Sequence, residues 1–138
     1  MDKLEYIPGD LVMVKKSALQ FAKDKIFKVI SSLSGGFLKV VMLNDSSTTY
    51  SISNNAIRPI PLTPEILEKN GWRTQNRWYY YLDVAEGFIS YIGIDFKHKS
   101  NKGHLYVEVN GNNMVEIQYC HELQHFLFGL GLKQKMEV

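Results

Sequence analysis

Two histidines and a glutamate in the C-terminal part of the sequence have the types and spacing of a zinc-peptidase helix. The stretch from His121 to His125 reads His-Glu-Leu-Gln-His. On a helix, residues four apart project from nearly the same side, so both imidazoles can bind one metal ion. Glu122 would then act as general base toward a metal-bound water. The chemistry that this motif indicates is metal-assisted hydrolysis.

A catalytic zinc needs a third protein ligand beside an open position. The extended metzincin motif supplies a downstream glycine and a third histidine, but the glycine position here holds Phe128. His98 or His104 would have to complete the site from elsewhere in the fold. We therefore predict no metal and no cofactor, and we keep a zinc hydrolase built on His121, His125 and Glu122 as the alternative.

The motif lies on a segment whose pattern predicts an amphipathic helix. At about 100° per residue, one face collects the apolar residues Leu123, Phe126, Leu127 and Leu130, and we expect it to be buried. The motif falls on the opposite, polar side, which we expect to be solvated. Phe128 and Leu132 share the side of His121 and His125 and indicate that another element or a partner chain covers part of it.

Length and composition indicate a globular protein. The 138 residues are 45% apolar and 22% charged, without a run of eighteen apolar residues or a recognisable secretory leader. A lone cysteine, Cys120, cannot form an internal disulfide, and its place beside an apolar helix face predicts a buried thiol. We expect a protein of a reducing cytoplasm that does not enter a membrane. The oligomeric state stays open.

The first half of the chain predicts a small β-barrel. Five short β segments follow a Pro8-Gly9-Asp10 turn and are separated by glycine or polar turns. This spacing, with the long connection between residues 15 and 25, is typical of a five-stranded Src-homology-3-like barrel. The predicted barrel covers residues 1–62 and ends at a proline-rich segment, since two prolines cannot donate to a ladder.

The second half, residues 63–138, predicts an α+β unit with a C-terminal amphipathic helix. Thr63, Pro64 and Glu65 have the order of a helix N-cap, a first-turn proline and a dipole-matched acid. Three strands of an antiparallel sheet are expected at 78–82, 88–96 and 103–109, packed on helices. Residues 114–117 are read either as a fourth strand or as the start of the last helix. One domain and two small ones are both compatible with this length.

Two sets of residues are candidates for partner binding. An aromatic stretch combines Trp78 and Tyr80 with Arg73 and Arg77, and aromatics interleaved with arginine can stack on bases or hold a peptide. Core packing is the alternative for these aromatics. Two basic tracts could contact phosphate or remain solvated loops, and they contain Lys15, Lys16 and Lys23 in the first half and Lys97, Lys99 and Lys102 in the second.

Two segments carry a resemblance to a known family. The segment Pro59-Ile60-Pro61-Leu62-Thr63-Pro64-Glu65-Ile66-Leu67-Glu68-Lys69-Asn70-Gly71-Trp72 and the later Tyr119-Cys120-His121-Glu122-Leu123-Gln124 resemble small uncharacterised proteins carried by phages and mobile elements of gut bacteria. The family brings no established activity. It implies a phage-type accessory protein, and it tolerates replacement of the second histidine, which disfavours a zinc site.

The sequence therefore predicts a binding protein without catalytic activity whose partner is a protein or a nucleic acid. A zinc hydrolase and a dedicated nucleic-acid-binding module are the alternatives. Neither the partner nor the pathway follows from the sequence.

Overall fold

The computed structural model describes residues 6–14, 25–33, 35–43, 45–132 and 136. The chain divides into two compact units, Met1–Ile60 with Leu123–Met136, and Pro61–Glu122 with Glu137–Val138. Each unit contains one five-stranded antiparallel sheet.

The first sheet has the strand order β4-β3-β2-β1-β5. Its strands are β1 Leu11–Val14, β2 Ile26–Leu33, β3 Phe37–Met42, β4 Asp45–Ser53 and β5 Ile57–Pro59, with a 3-10 turn at Asn54–Ala56 before β5. Alternate residues of these strands point inward, as the period of a pleated strand requires. They form a core of Val12, Val14, Phe27, Val29, Leu38, Val40, Ile52 and Ile57.

The predicted Src-homology-3-like barrel is wrong, because this sheet is open. Strand β5 pairs with β1, and β4 pairs with β3 at the other edge. Among the described residues no ladder joins β4 to β5. Strand β5 has three residues, and Pro59 lacks the N–H that a second ladder would need. Strand number follows from alternation and turns, whereas closure depends on strand tilt and stagger, which alternation does not encode.

The second sheet has the order β10-β9-β8-β7-β6, so each strand pairs with its neighbour in sequence. It follows helix α1, Pro64–Lys69, and consists of β6 Arg73–Thr74, β7 Tyr79–Glu86, β8 Ile89–Asp95, β9 Leu105–Val109 and β10 Asn112–Ile117. Helix α2, Cys120–Gly129, comes next. The predicted three-stranded sheet packed on helices is therefore also wrong: the sheet has five strands, and the protein is mostly β.

Helix α1 begins as its sequence predicts. The Thr63 hydroxyl accepts the N–H of Ile66 at 3.3 Å, and Pro64 occupies the first turn, where its missing N–H costs nothing. The helix ends at Asn70, followed by Gly71 at φ +85°, a conformation that favours glycine. Leu67, the fully buried residue of α1, anchors it.

The two faces of the second sheet differ sharply in composition. Residues directly opposite one another on antiparallel strands project to the same side. One side is a core face with Tyr80, Ile92, Ile94, Leu105 and Val107. The other side carries Tyr79, Tyr81, Tyr91 and Tyr106, and we call it the tyrosine face. Thus a single strand, β7, supplies a buried tyrosine to one side and two half-buried tyrosines to the other.

Candidate functional site

Glu122, the general base of the zinc-hydrolase alternative, caps helix α2. Its Oε1 accepts the backbone N–H groups of Gln118 and Tyr119, both at 2.9 Å. A glutamate in the first turn that accepts the N–H of the capping residue satisfies donors that the helix itself leaves unpaired. The carboxylate therefore has a structural role at the start of the helix.

His125 forms a close pair with a buried aspartate. Its Nε2 lies 2.7 Å from Oδ2 of Asp10, whose side chain is fully buried just before β1, whereas one third of the His125 side chain is exposed. The same Oδ2 accepts the N–H of Ile7 at 2.8 Å. Burial raises the pKa of the Asp10 carboxyl above its ordinary value, and the contacts with Ile7 and His125 oppose that rise.

Gln124 lies beside this pair and joins α2 to the first strand. Its Oε1 accepts the N–H of Leu11 at 3.0 Å, and its Nε2 donates to the carbonyl of Gly9 at 3.0 Å. Its side chain is fully buried. One amide therefore satisfies a donor and an acceptor of the backbone that leads into β1, as a neighbouring strand would.

The remaining residues of the motif side differ in exposure. His121 is 2% exposed, and its ring stacks on that of Tyr119 at 5.9 Å between centroids. This placement replaces the solvated position expected from the helical pattern. Phe128 is 60% exposed and Leu132 is partly buried, so both have accessible surface. That a partner covers this surface remains a prediction. Cys120 is buried, as predicted, and burial raises the pKa of its thiol to about 12.

The predicted basic tracts are only partly described. Lys15, Lys16 and Lys23 lie outside the described residues. Lys97, Lys99 and Lys102 are exposed on the loop between β8 and β9.

Asp95 holds the start of that loop. Its Oδ1 accepts the N–H groups of Lys97 and His98 at 2.8 and 2.9 Å, and its Oδ2 contacts His98 Nδ1 at 3.0 Å. Burial alone would raise the pKa of Asp95, but these hydrogen bonds outweigh it and hold the pKa below its ordinary value.

The four residues of the predicted aromatic and arginine cluster occupy different positions in and around the second sheet. Tyr80 is 3% exposed and lies on the core face. Trp78 is half-buried beneath Lys97, whose Nζ is 5.3 Å from the centre of the indole ring. Arg73 is exposed at the edge strand β6, and Arg77 is exposed in the β6–β7 turn at φ +67°. The four side chains do not share one surface.

A groove on the tyrosine face is the feature that sequence reasoning missed. It has a volume of about 340 Å³ and is lined by Gln75, Asn76, Tyr79, Tyr81, Asp83 and Tyr91. Pockets of this size lined by aromatic residues and a few polar groups are typical ligand sites. We call it the tyrosine groove.

Hydrogen bonds fix the Tyr79 wall of the groove. The Tyr79 hydroxyl donates to Glu108 Oε1 at 3.1 Å, and burial followed by this contact raises the pKa of Tyr79. Asn76 Oδ1 accepts the N–H groups of Trp78 and Tyr79 at 3.1 and 2.9 Å. Tyr79 is thereby held at both its backbone N–H and its hydroxyl, so this wall of the groove is formed before any ligand binds.

Gly93 makes room for the Tyr79 ring. A Cβ built at Gly93 would lie 2.0 Å from the Tyr79 hydroxyl oxygen and 2.5 Å from its ring. A glycine inside a strand often marks such a close approach. Its occurrence in β8 is the sequence signal that could have located the groove.

We expect Gly93→Ala to expel the Tyr79 ring and break its bond to Glu108. The loss should lower the free energy of unfolding by about 1–2 kcal/mol, the scale of one lost hydrogen bond with some strain. Urea unfolding measures the change in stability, and the Tyr79 absorbance titration should move toward that of an exposed phenol. Gly129→Ala is the matched control, because no described atom lies within 4 Å of a Cβ there. An unchanged Tyr79 titration in Gly93→Ala would contradict the assignment.

Within residues 6–14, 25–33, 35–43, 45–132 and 136, no group of three His, Cys, Asp or Glu side chains is arranged to hold a metal ion. In the same part of the chain, neither helix is long and apolar enough to cross a bilayer.

Comparison of the chain with protein-family models, with curated proteins and with solved structures finds no match in any of the three.

Proposed function

We propose that this chain is a binding protein without catalytic activity, and that it binds a partner protein through the tyrosine face of its second sheet. The proposed setting is the bacterial cytoplasm, which the single cysteine supports. The family resemblance given above adds a phage-type accessory role to this proposal.

The tyrosine groove is the observation that carries the proposal. Three half-buried tyrosines line one open groove on a face of the sheet that the core does not use. Tyrosine is enriched in protein interfaces because it offers a large, rigid apolar ring with a polar end and few rotatable bonds. The hydrogen bonds of Tyr79 reduce the ordering cost of binding.

Charge favours a protein over a nucleic acid as the partner. By register, Asp83, Asp95, Glu108 and Glu116 share the tyrosine face, and Arg73 is the basic residue there among the described residues. A phosphate backbone would meet net negative charge on this surface. The exposed lysines 97, 99 and 102 lie on a loop, and they carry the nucleic-acid alternative.

The contacts of the histidine motif support the non-catalytic part of the proposal. Glu122 accepts two backbone N–H groups at the start of α2, and His125 is engaged by Asp10. Both side chains thereby have structural partners, and these are the residues that a hydrolase would need for its base and one ligand.

Capture from a bacterial lysate with paired variants tests the proposal. The full chain is compared with Tyr81→Ala/Tyr91→Ala, which removes two groove walls, and with Leu33→Ala/Phe37→Ala as a matched control. The control pair is exposed and directly opposite across the β2–β3 hairpin of the first sheet. Circular dichroism and urea unfolding establish that each variant is folded.

We expect the wild-type chain and the hairpin control to capture the same protein, and the groove variant to capture at least about tenfold less of it, as loss of two interface aromatics implies. The capture should survive nuclease treatment. If nuclease treatment abolishes the capture, or if the capture falls steeply with salt, the proposal is replaced by nucleic-acid binding through Lys97, Lys99 and Lys102 on the β8–β9 loop.

A further inference from the structure

The tyrosine groove combines aromatic rings with one carboxylate. Tyr79, Tyr81 and Tyr91 line it, and among the described lining residues Asp83 carries the only formal charge. Tyr91 lies directly opposite Asp83 across the β7–β8 ladder. Electron-rich ring faces and an anion together favour an organic cation.

We propose that the tyrosine groove binds an arginine side chain of the partner protein, with tyrosine rings against the guanidinium plane and Asp83 as its counter-charge. This inference rests on the proposed function and names the group that the groove recognises. Arginine fits better than lysine because a planar guanidinium stacks on rings and pairs with a carboxylate through two parallel N–H groups.

An arginine of the chain itself already pairs with this carboxylate. Arg73 Nη1 lies 3.5 Å from Asp83 Oδ2, and the two side chains are 70% and 62% exposed. Exposed pairs of this kind are weak. Arg73 therefore acts as an internal competitor that a better-stacked guanidinium from the partner can displace.

The surroundings of the groove favour a cation as well. Glu108 and Glu116 lie on the same face by register, and Glu108 accepts the Tyr79 hydroxyl. At the nearby end of β7, Lys97 lies 5.3 Å from the centre of the Trp78 ring, which is the same kind of cation and ring contact within the chain. The whole protein has a net charge of +2, so general attraction would not draw a basic peptide to it.

The test is a titration of the isotope-labelled full chain followed by backbone amide NMR. The probe is the capped tripeptide glycine-arginine-glycine, and its matched control replaces arginine with citrulline, which has nearly the same shape and no charge. A lysine tripeptide forms the third arm. We expect the arginine probe to shift the amides of Tyr79, Tyr81, Asp83 and Tyr91, with the citrulline probe at least about tenfold weaker.

Variants make the test specific to the rings and the competitor. Tyr91→Phe keeps an aromatic face and should retain affinity within about twofold, whereas Tyr91→Leu should weaken binding about fivefold or more. Arg73→Gln should tighten binding about threefold by releasing Asp83. Lys69→Gln removes the same charge from the exposed side of α1 and should leave affinity unchanged.

Each of the following outcomes overturns the inference: citrulline binding as well as arginine, lysine binding more tightly than arginine, Tyr91→Leu behaving like Tyr91→Phe, or Arg73→Gln and Lys69→Gln giving equal effects. The titration needs no native partner, so its result is independent of the capture experiment. If the groove variant loses the captured protein while the arginine probe does not bind, the proposed function stands and the arginine assignment fails. If the probe binds while nothing is captured through the groove, the groove recognises arginine, but the proposed binding of a partner protein through it fails.

Discussion

Replacing Gln124 with leucine should destabilise the protein by about 2–4 kcal/mol, the cost of leaving two buried backbone groups without partners. The side chain is fully buried, and its amide serves the N–H of Leu11 and the carbonyl of Gly9. Leucine has a similar volume but can neither donate nor accept. Both backbone groups lead into β1, which lies between β2 and β5 in the first sheet. We therefore expect the pairing of β1 with its two neighbours to weaken when they lose their partners.

Urea unfolding at 25 °C measures this loss as a lower midpoint with an unchanged slope. Gln118→Leu is the matched control, since Gln118 is an exposed glutamine just before the same helix. That control should stay within about 0.5 kcal/mol of the wild-type protein, as surface substitutions usually do. Equal midpoints for Gln124→Leu and Gln118→Leu would contradict the bridging role.

Replacing His125 with alanine should cost about 2–3 kcal/mol at neutral pH, because it leaves the buried Asp10 carboxylate without its nearest cationic or donor partner. The figure is below that for a fully buried pair, since one third of the His125 side chain is exposed. In the variant, Asp10 Oδ2 still accepts the hydrogen bond from the Ile7 N–H.

The pH dependence of this cost has a definite sign. In the folded protein the pKa of Asp10 is raised above its ordinary value of 3.8. As pH rises above about 3.8, the unfolded chain loses the Asp10 proton first, so the Asp10 contribution lowers the free energy of unfolding until the folded pKa is passed. Removing His125 takes away a contact that lowers that pKa. The folded pKa of Asp10 should therefore be higher still in His125→Ala, and the destabilisation should grow with pH between the folded pKa of the wild-type protein and that of the variant.

An Asp10→Asn background isolates the carboxylate from the titration of His125 itself. The cost of His125→Ala should be clearly larger in the wild-type background than in Asp10→Asn at pH 7, and the difference should shrink toward zero below pH 3.8. Urea unfolding of the four proteins at pH 3 and pH 7 gives this cycle. A difference that is the same at both pH values would exclude the proposed coupling between His125 and Asp10.

Local patterns in the sequence predict the first helix and most of the strands, although β6 is not predicted and β10 is only one of two alternatives. Thr63 and Pro64 fix the start of α1 through hydrogen bonding and a preset backbone angle, both of which are local effects. Alternation along β8 and β9 places Ile92, Ile94 and Val107 in a core because one side of a strand repeats every two residues.

Features that depend on distant residues escape such patterns. A helical pattern sorts Gln124 and His121 as polar, yet Gln124 is buried because its amide meets backbone groups 113 and 115 residues away. Barrel closure fails because β5 is short and carries Pro59. Alternation separates Tyr79 and Tyr81 from Tyr80, but the tyrosine groove also requires Gly93 to lie opposite Tyr81 in the adjacent strand.

The two clusters have separate roles in this account. Helix α2 is bound to the segment that leads into β1 by Gln124 and by the pair of His125 with Asp10. These polar residues of the histidine motif therefore have a role in the stability of the fold. Tyr79, Tyr81 and Tyr91 line the tyrosine groove. The described contacts do not give all three side chains a role in stability, and we propose that the partner binds here.

Interface mapping on the captured complex tests the central claim most directly. Amide hydrogen exchange of the full chain is measured with and without the bound partner. We predict slowed exchange in β7 and β8 around Tyr79, Tyr81 and Tyr91, with the β2–β3 hairpin unchanged. Protection confined to residues 97–102, or to α2 around Phe128, with β7 and β8 unaffected, would contradict the claim that the tyrosine face is the binding surface.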